Sequence, residues 1–131
     1  PTSNDTASGL IVKATIETNT QGIGAPLYMQ ANGQLKAADA TTSATSPCVA
    51  LAMDAVAGSE KRILVHGVMV RTAWTWVTGP GTSSLIYLNT TTGTLTQTQP
   101  IGTDQVIQPV GWALSATAIY FNPSGIYLTH V

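Results

Sequence analysis

Apolar and polar positions along the chain alternate in short runs, and the period is two rather than 3.6. Leu10 to Ile16 (LIVKATI) places Val12, Ala14 and Ile16 on one face and Lys13 and Thr15 on the other. Its β-branched content fits a strand. Cys48 to Met53 (CVALAM) reads as a buried strand. Lys61 to Arg71 (KRILVHGVMVR) alternates most clearly, with Ile63, Val65, Val68 and Val70 pointing inward. Gly67 within it marks a bulge or a close backbone approach. Thr72 to Val77 (TAWTWV) alternates again and puts Trp74 and Trp76 on one face. No segment carries a helical apolar period over ten or more residues, so the expected fold is all-β.

Turn chemistry separates these runs. Leu27-Tyr28-Met29 and Gln34-Leu35-Lys36 flank Ala31-Asn32-Gly33, and Asn-Gly between apolar arms predicts a hairpin because both residues tolerate positive φ. Gly22-Ile23-Gly24 is read as turn glycine, since no third glycine and no helix follow to make a nucleotide loop. Ala37 to Pro47 is a low-complexity polar loop, with Ala37 to Ala40 as a short helical candidate. Ala118 to Phe121 begins a last strand and Asn122 to Gly125 turns. Pro1 to Gly9 is small and polar and reads as a flexible N-terminal arm, leaving residues 10–131 as one β domain.

The order of parts occurs twice. Leu27-Tyr28-Met29, Gly33, Leu35 and Val49 to Met53 are followed about 59 residues later by Ile86-Tyr87-Leu88, Gly93, Leu95 and Val110 to Leu114. Tyrosine-to-glycine spacings are five and six residues, and leucine-to-valine spacings fourteen and fifteen. Each intervening loop holds an aspartate (Asp39, Asp104) and a proline just before the strand (Pro47, Pro109). The pseudo-repeats span about 25–70 and 84–121. One hairpin-plus-strand unit cannot bury its apolar face alone, so two such units are expected to share a core as a compact barrel or a pair of facing sheets.

Composition narrows the function. Only 8% of the 131 residues are charged, against roughly 25% in ordinary domains. Such a surface can lie against another protein without burying many ions. The net charge is -1 and the five cations are scattered, which argues against nucleic acid. Cys48 is the single cysteine, so no intrachain disulfide is expected. No basic and apolar leader opens the chain and no run suits a membrane helix, so a product of the cytoplasm outside any membrane is expected. Cys48, His66 and His130 are too far apart in sequence to suggest a metal site, and no Gly-x-Ser-x-Gly elbow occurs. No catalytic residue, cofactor or metal is expected. Trp74 and Trp76 are candidates for core or subunit interface, with sugar stacking as the alternative.

Leu85-Ile86-Tyr87-Leu88, Gly93-Thr94-Leu95-Thr96, Val106 to Leu114 with Gly111 and Ala113, and Lys61 to Val70 with its His-Gly-Val together resemble tailed-phage virion proteins. The likeness spans roughly residues 10–121 and is to small capsid decoration proteins, also called cement or head-stabilisation proteins; phage head-fibre and tail-fibre domains are similar. The resemblance implies a compact β-barrel or β-tulip domain on a virion surface and no catalytic residues. It implies the major capsid protein as partner and a homo-oligomer, most often a trimer. It gives the N-terminal arm a role in reaching neighbours. Thr2, Asn4, Leu10, Trp74 and Trp76 are the expected interface residues. A fibre or receptor-binding domain that recognises a host glycan or protein is the alternative.

Overall fold

The β-branched and apolar runs form strands in the computed structural model, which describes residues 3–18 and 22–131; nine of them share one mixed sheet, and the other two described strands, Val106–Ile107 and Leu128–Thr129, pair with each other. The strands are β1 (Thr6–Thr18), β2 (Pro26–Met29), β3 (Leu35–Ala37), β4 (Ala50–Ala52), β5 (Gly58–Val70), β6 (Leu85–Leu88), β7 (Leu95–Thr96), β8 (Val106–Ile107), β9 (Pro109–Ala113), β10 (Ala118–Phe121) and β11 (Leu128–Thr129). The fold is all-β. One short 3-10 turn, Ser43–Thr45, stands in the polar loop, and Ala37 ends β3 instead of opening a helix. Among the described residues no helix is long and apolar enough to cross a membrane.

The repeat is built into the sheet. Its order is β1-β3-β2-β4-β5-β10-β9-β6-β7, so β3-β2-β4-β5 and β7-β6-β9-β10 are the same four-strand unit twice, joined where β5 pairs β10. Every pairing inside both units is antiparallel. The registers correspond: Pro26 opposes Leu51 as Leu85 opposes Trp112, and Ala52 opposes Ile63 as Ala113 opposes Ile119. The first hairpin turns at Gly33, whose φ of 82° only glycine and a few polar residues adopt readily.

Two clusters fill the interior. In the first unit, Leu27, Leu35, Ala50, Ala52 and Ile63 pack with Ile16 of β1. β1 covers this face because it pairs β5 on one edge and β3 at its far end, closing the ring β1-β3-β2-β4-β5. The opposite face of the first unit, carrying Leu51 and Leu64, packs on Ile86, Val110, Ala113, Ile119 and Phe121 of the second. A strand covered on both faces reads as a continuous apolar run. That is why Ile63 and Leu64 are both buried, where strict alternation expects only Ile63.

Alternation in β5 also changes phase. Leu10 of β1 opposes His66 but Ile11 opposes Leu64, so Val65 is the extra residue of a bulge. Past it Met69 and Val70 are buried while Val68 is only half-buried. Gly67 is the close approach expected there: its φ is 146°, and a Cβ would lie 2.1 Å from the Ser8 carbonyl oxygen.

Two expectations need correction. Thr72 to Val77 forms no strand; the Trp74 N–H closes a turn onto the Arg71 carbonyl, and both edges of the preceding β5 are already taken. The arm is shorter than residues 1–9, since β1 begins at Thr6 and Ala7, Ser8 and Gly9 pair with Met69, Val68 and Gly67.

Candidate interaction face

The two units differ in what covers their outer positions. Leu51 and Leu64 in the first unit correspond to Trp112 and Tyr120 in the second. The leucines are fully buried between the units, whereas Trp112 is 46% exposed and Tyr120 half-buried. β9 alternates Gly111 and Ala113 inward with Trp112 outward, and β10 sets Tyr120 between the buried Ile119 and Phe121.

The outward side chains form a row across five strands. Leu85 of β6 opposes Trp112, Trp112 opposes Tyr120, and Tyr120 opposes Val68 of β5. The Trp112 and Tyr120 rings lie 5.1 Å apart at 49°. The Tyr120 hydroxyl is 2.6 Å from His66 Nε2, with the two rings edge-on at 5.3 Å. His66 in turn opposes Leu10 of β1. An antiparallel sheet with one face in water normally carries polar side chains there. This one carries an aromatic pair with aliphatic flanks and no carboxylate or cation of the row.

Beside His66 a groove of about 340 Å³ runs between the units, walled by Pro47, Val65, Asn122 and Pro123 with Cys48 within it. Burial pushes the Cys48 thiol up to about 12, so it offers the groove no thiolate at neutral pH. Gln108, also fully buried, clasps the same cysteine. Its carbonyl accepts the Cys48 N–H at 2.7 Å, and its amide donates to the carbonyls of Cys48 and Ser124 at 2.9 and 2.8 Å.

The residues expected at an interface are dispersed. Leu10 joins the row, at 55% exposure. Thr2 lies outside the described residues. Asn4 accepts the Thr72 N–H at 2.8 Å, and Asp5 holds Arg71 Nε at the same distance. These two fasten the start of the chain to the segment after β5. Trp74 and Trp76 stand 5.6 Å apart, half-buried against the shared core, with the Arg71 guanidinium 5.9 Å over Trp74. Both pack on the margin of the core and keep part of their surface open. Trp112, Tyr120 and His66 were the residues that strand alternation could have flagged, since Gly111-Trp112-Ala113 alternates small and large.

The repeat-loop aspartates also differ from one another. Asp39 is buried and receives the Thr41 N–H at 3.1 Å, the hydroxyls of Thr45 and Thr92 at 2.7 and 2.9 Å, and that of Thr41. Burial pushes its carboxyl up, but the threonine donors outweigh this and hold it below the ordinary carboxylate value. Thr92 belongs to the second unit, so Asp39 is a lock between the halves. Asp104 is exposed at a turn with φ of 64°. Among the described residues no three His, Cys or carboxylate groups converge. The chain matches no family model, no curated protein and no solved structure.

Proposed function

We propose that this chain is a non-enzymatic structural protein of a virion. It binds the outer surface of a phage capsid, with the major capsid protein as partner, and bridges neighbouring capsid subunits. The observation that carries the reading is the row of exposed Leu10 and Trp112 with half-buried Leu85 and Tyr120, on a chain with very few charges. Aromatic side chains on a flat strand face are favoured interface anchors, because they bury much area at little cost in rotamer entropy. A standard interface of about 1,600 Å² gives specificity, and repetition over a lattice multiplies modest affinities. The likeness of residues 10–121 to decoration proteins supports the same reading.

Trp112→Ala tests it. The side chain is half in water, so the fold should lose under about 1 kcal/mol. Loss of an interface anchor should weaken shell binding about 30-fold or more. Electron microscopy of the parent particle supplies the location: regular copies over the shell support cementing, and copies confined to the tail sink it. The aromatic row beside a groove also favours one second reading, a fibre domain that stacks a host sugar ring on Trp112. Saturable binding on a glycan array, lost in Trp112→Ala, would select that reading instead.

A further inference from the structure

β1 gives one edge to β5 from Thr6 to Ile16, but its other edge meets β3 only at Ile16 and Thr18. Among the described residues, Thr6 to Thr15 therefore present a free row of backbone N–H and C=O groups. The strand at the far margin of the sheet, β7, spans only Leu95–Thr96. Ser8 to Lys13 are all exposed, and the consecutive Leu10, Ile11 and Val12 are 55%, 36% and 40% exposed. Consecutive strand residues point to opposite faces, so the stretch from Ser8 to Lys13 is bare on both faces as well as on one edge. Natural proteins blunt such edges with lysine, proline or inward charge. β1 has no proline, and its first charge, Lys13, comes only after the apolar run.

We propose that β1 pairs with β1 of a second copy of this chain, antiparallel about a two-fold axis. Charge selects the register. With Gly9 opposite Gly9, Lys13 of each copy lies beside Asp5 of the other, the turn residue (φ 56°) that leads into β1. Asp5 already holds Arg71 at 2.8 Å, so its carboxylate comes to sit between two cations. The same register sets Val12 against Thr6, Ile11 against Ala7 and Leu10 against Ser8. Centring on Ile11 instead opposes Glu17 to Asp5, and centring on Lys13 opposes two lysines; like charges directly opposite are unfavourable. Leu10 ends the row that runs from Leu85 through Trp112 and Tyr120, so the pairing makes the two rows continuous across the junction. This contact does not depend on the capsid reading. It closes at two copies, unlike the trimer that the decoration-protein likeness implies.

Sedimentation equilibrium of the full chain tests the stoichiometry and spin-label distances test the register. The expected mass is that of a dimer. Lys13→Glu, on an exposed position, should keep the wild-type circular dichroism and raise the dissociation constant about tenfold at low salt, because it opposes two carboxylates on each side of the axis. A nitroxide on Thr15→Cys should report about 40 Å between copies, twelve strand residues at about 3.4 Å each; buried Cys48 stays unlabelled. A monomer at every attainable concentration, a trimer, an unchanged constant in Lys13→Glu, or a clearly different label distance each overturns the proposal.

Discussion

Replacing Gln108 by leucine removes the clasp between the two units while keeping a buried side chain of similar size. Its amide currently satisfies the N–H and C=O of Cys48, both deeply buried, and the half-buried Ser124 carbonyl. A buried backbone group left unpaired costs about 1–3 kcal/mol. Two such groups cost about 4 kcal/mol, and the added apolar burial returns about 1. The expected loss is about 3 kcal/mol. With a urea m-value of about 2 kcal/mol/M, the unfolding midpoint should fall by about 1.5 M. Gln97 gives the matched control: half-buried itself, it accepts the N–H of the exposed Val77 at 2.9 Å and donates to the Val77 carbonyl at 2.8 Å, the same chemistry at the surface. Water replaces those bonds, so Gln97→Leu should cost under about 1 kcal/mol. Equal losses in the two variants, or a midpoint for Gln108→Leu within about 0.5 M of wild type, would refute the reasoning from burial.

Three further outcomes follow from the same geometry. The Asp39 carboxyl is held below its ordinary value in the fold, so its charged form stabilises the protein above the unfolded value of about 3.9, and that contribution is lost as pH falls below it. Asp39→Asn should therefore flatten the drop in urea midpoint that the wild type shows on acidification below about pH 4. Gly67→Ala and Gly111→Ala, whose Cβ atoms would lie 2.1 and 1.9 Å from backbone oxygens, should each cost about 3 kcal/mol or more, against about 1 for the open Gly33→Ala, in the same titration. Cys48, with its thiol pushed to about 12, should resist iodoacetamide at pH 8 in the native protein and react at once in denaturant, as mass spectrometry would read.

The repeated spacing of Tyr28, Gly33 and Leu35 with Tyr87, Gly93 and Leu95 is enough to anticipate two hairpin-plus-strand units, because hairpin turns and the strands they join are local matters; the fourth strand of each unit is added by the sheet. What local pattern could not carry was which face each unit offers the other. Leu51 and Trp112 hold equivalent positions, yet one is buried and one lies in water, since the first unit is sandwiched and the second is covered on one side only. The phase change at Val65 depends on how β1 is registered against β5, a pairing some fifty residues distant in sequence. Thr72 to Val77 shows the converse: it has the period of a strand, but it follows directly on β5, whose two edges are already paired, and it turns instead. Trp74 and Trp76 were conspicuous as residues, and their neighbours made them part of the core margin.

β5 has a consequence for how the molecule holds together over time. A doubled sequence usually suggests two halves that could be parted, each keeping its own order. Here the end of the first half, Gly67 to Val70, supplies the edge on which β10 and so the second half is laid down. Opening either half strips the other of its margin, so the chain should melt in one cooperative step, with probes in both halves reporting the same transition. The duplication is visible in the sheet, but it is no longer divisible.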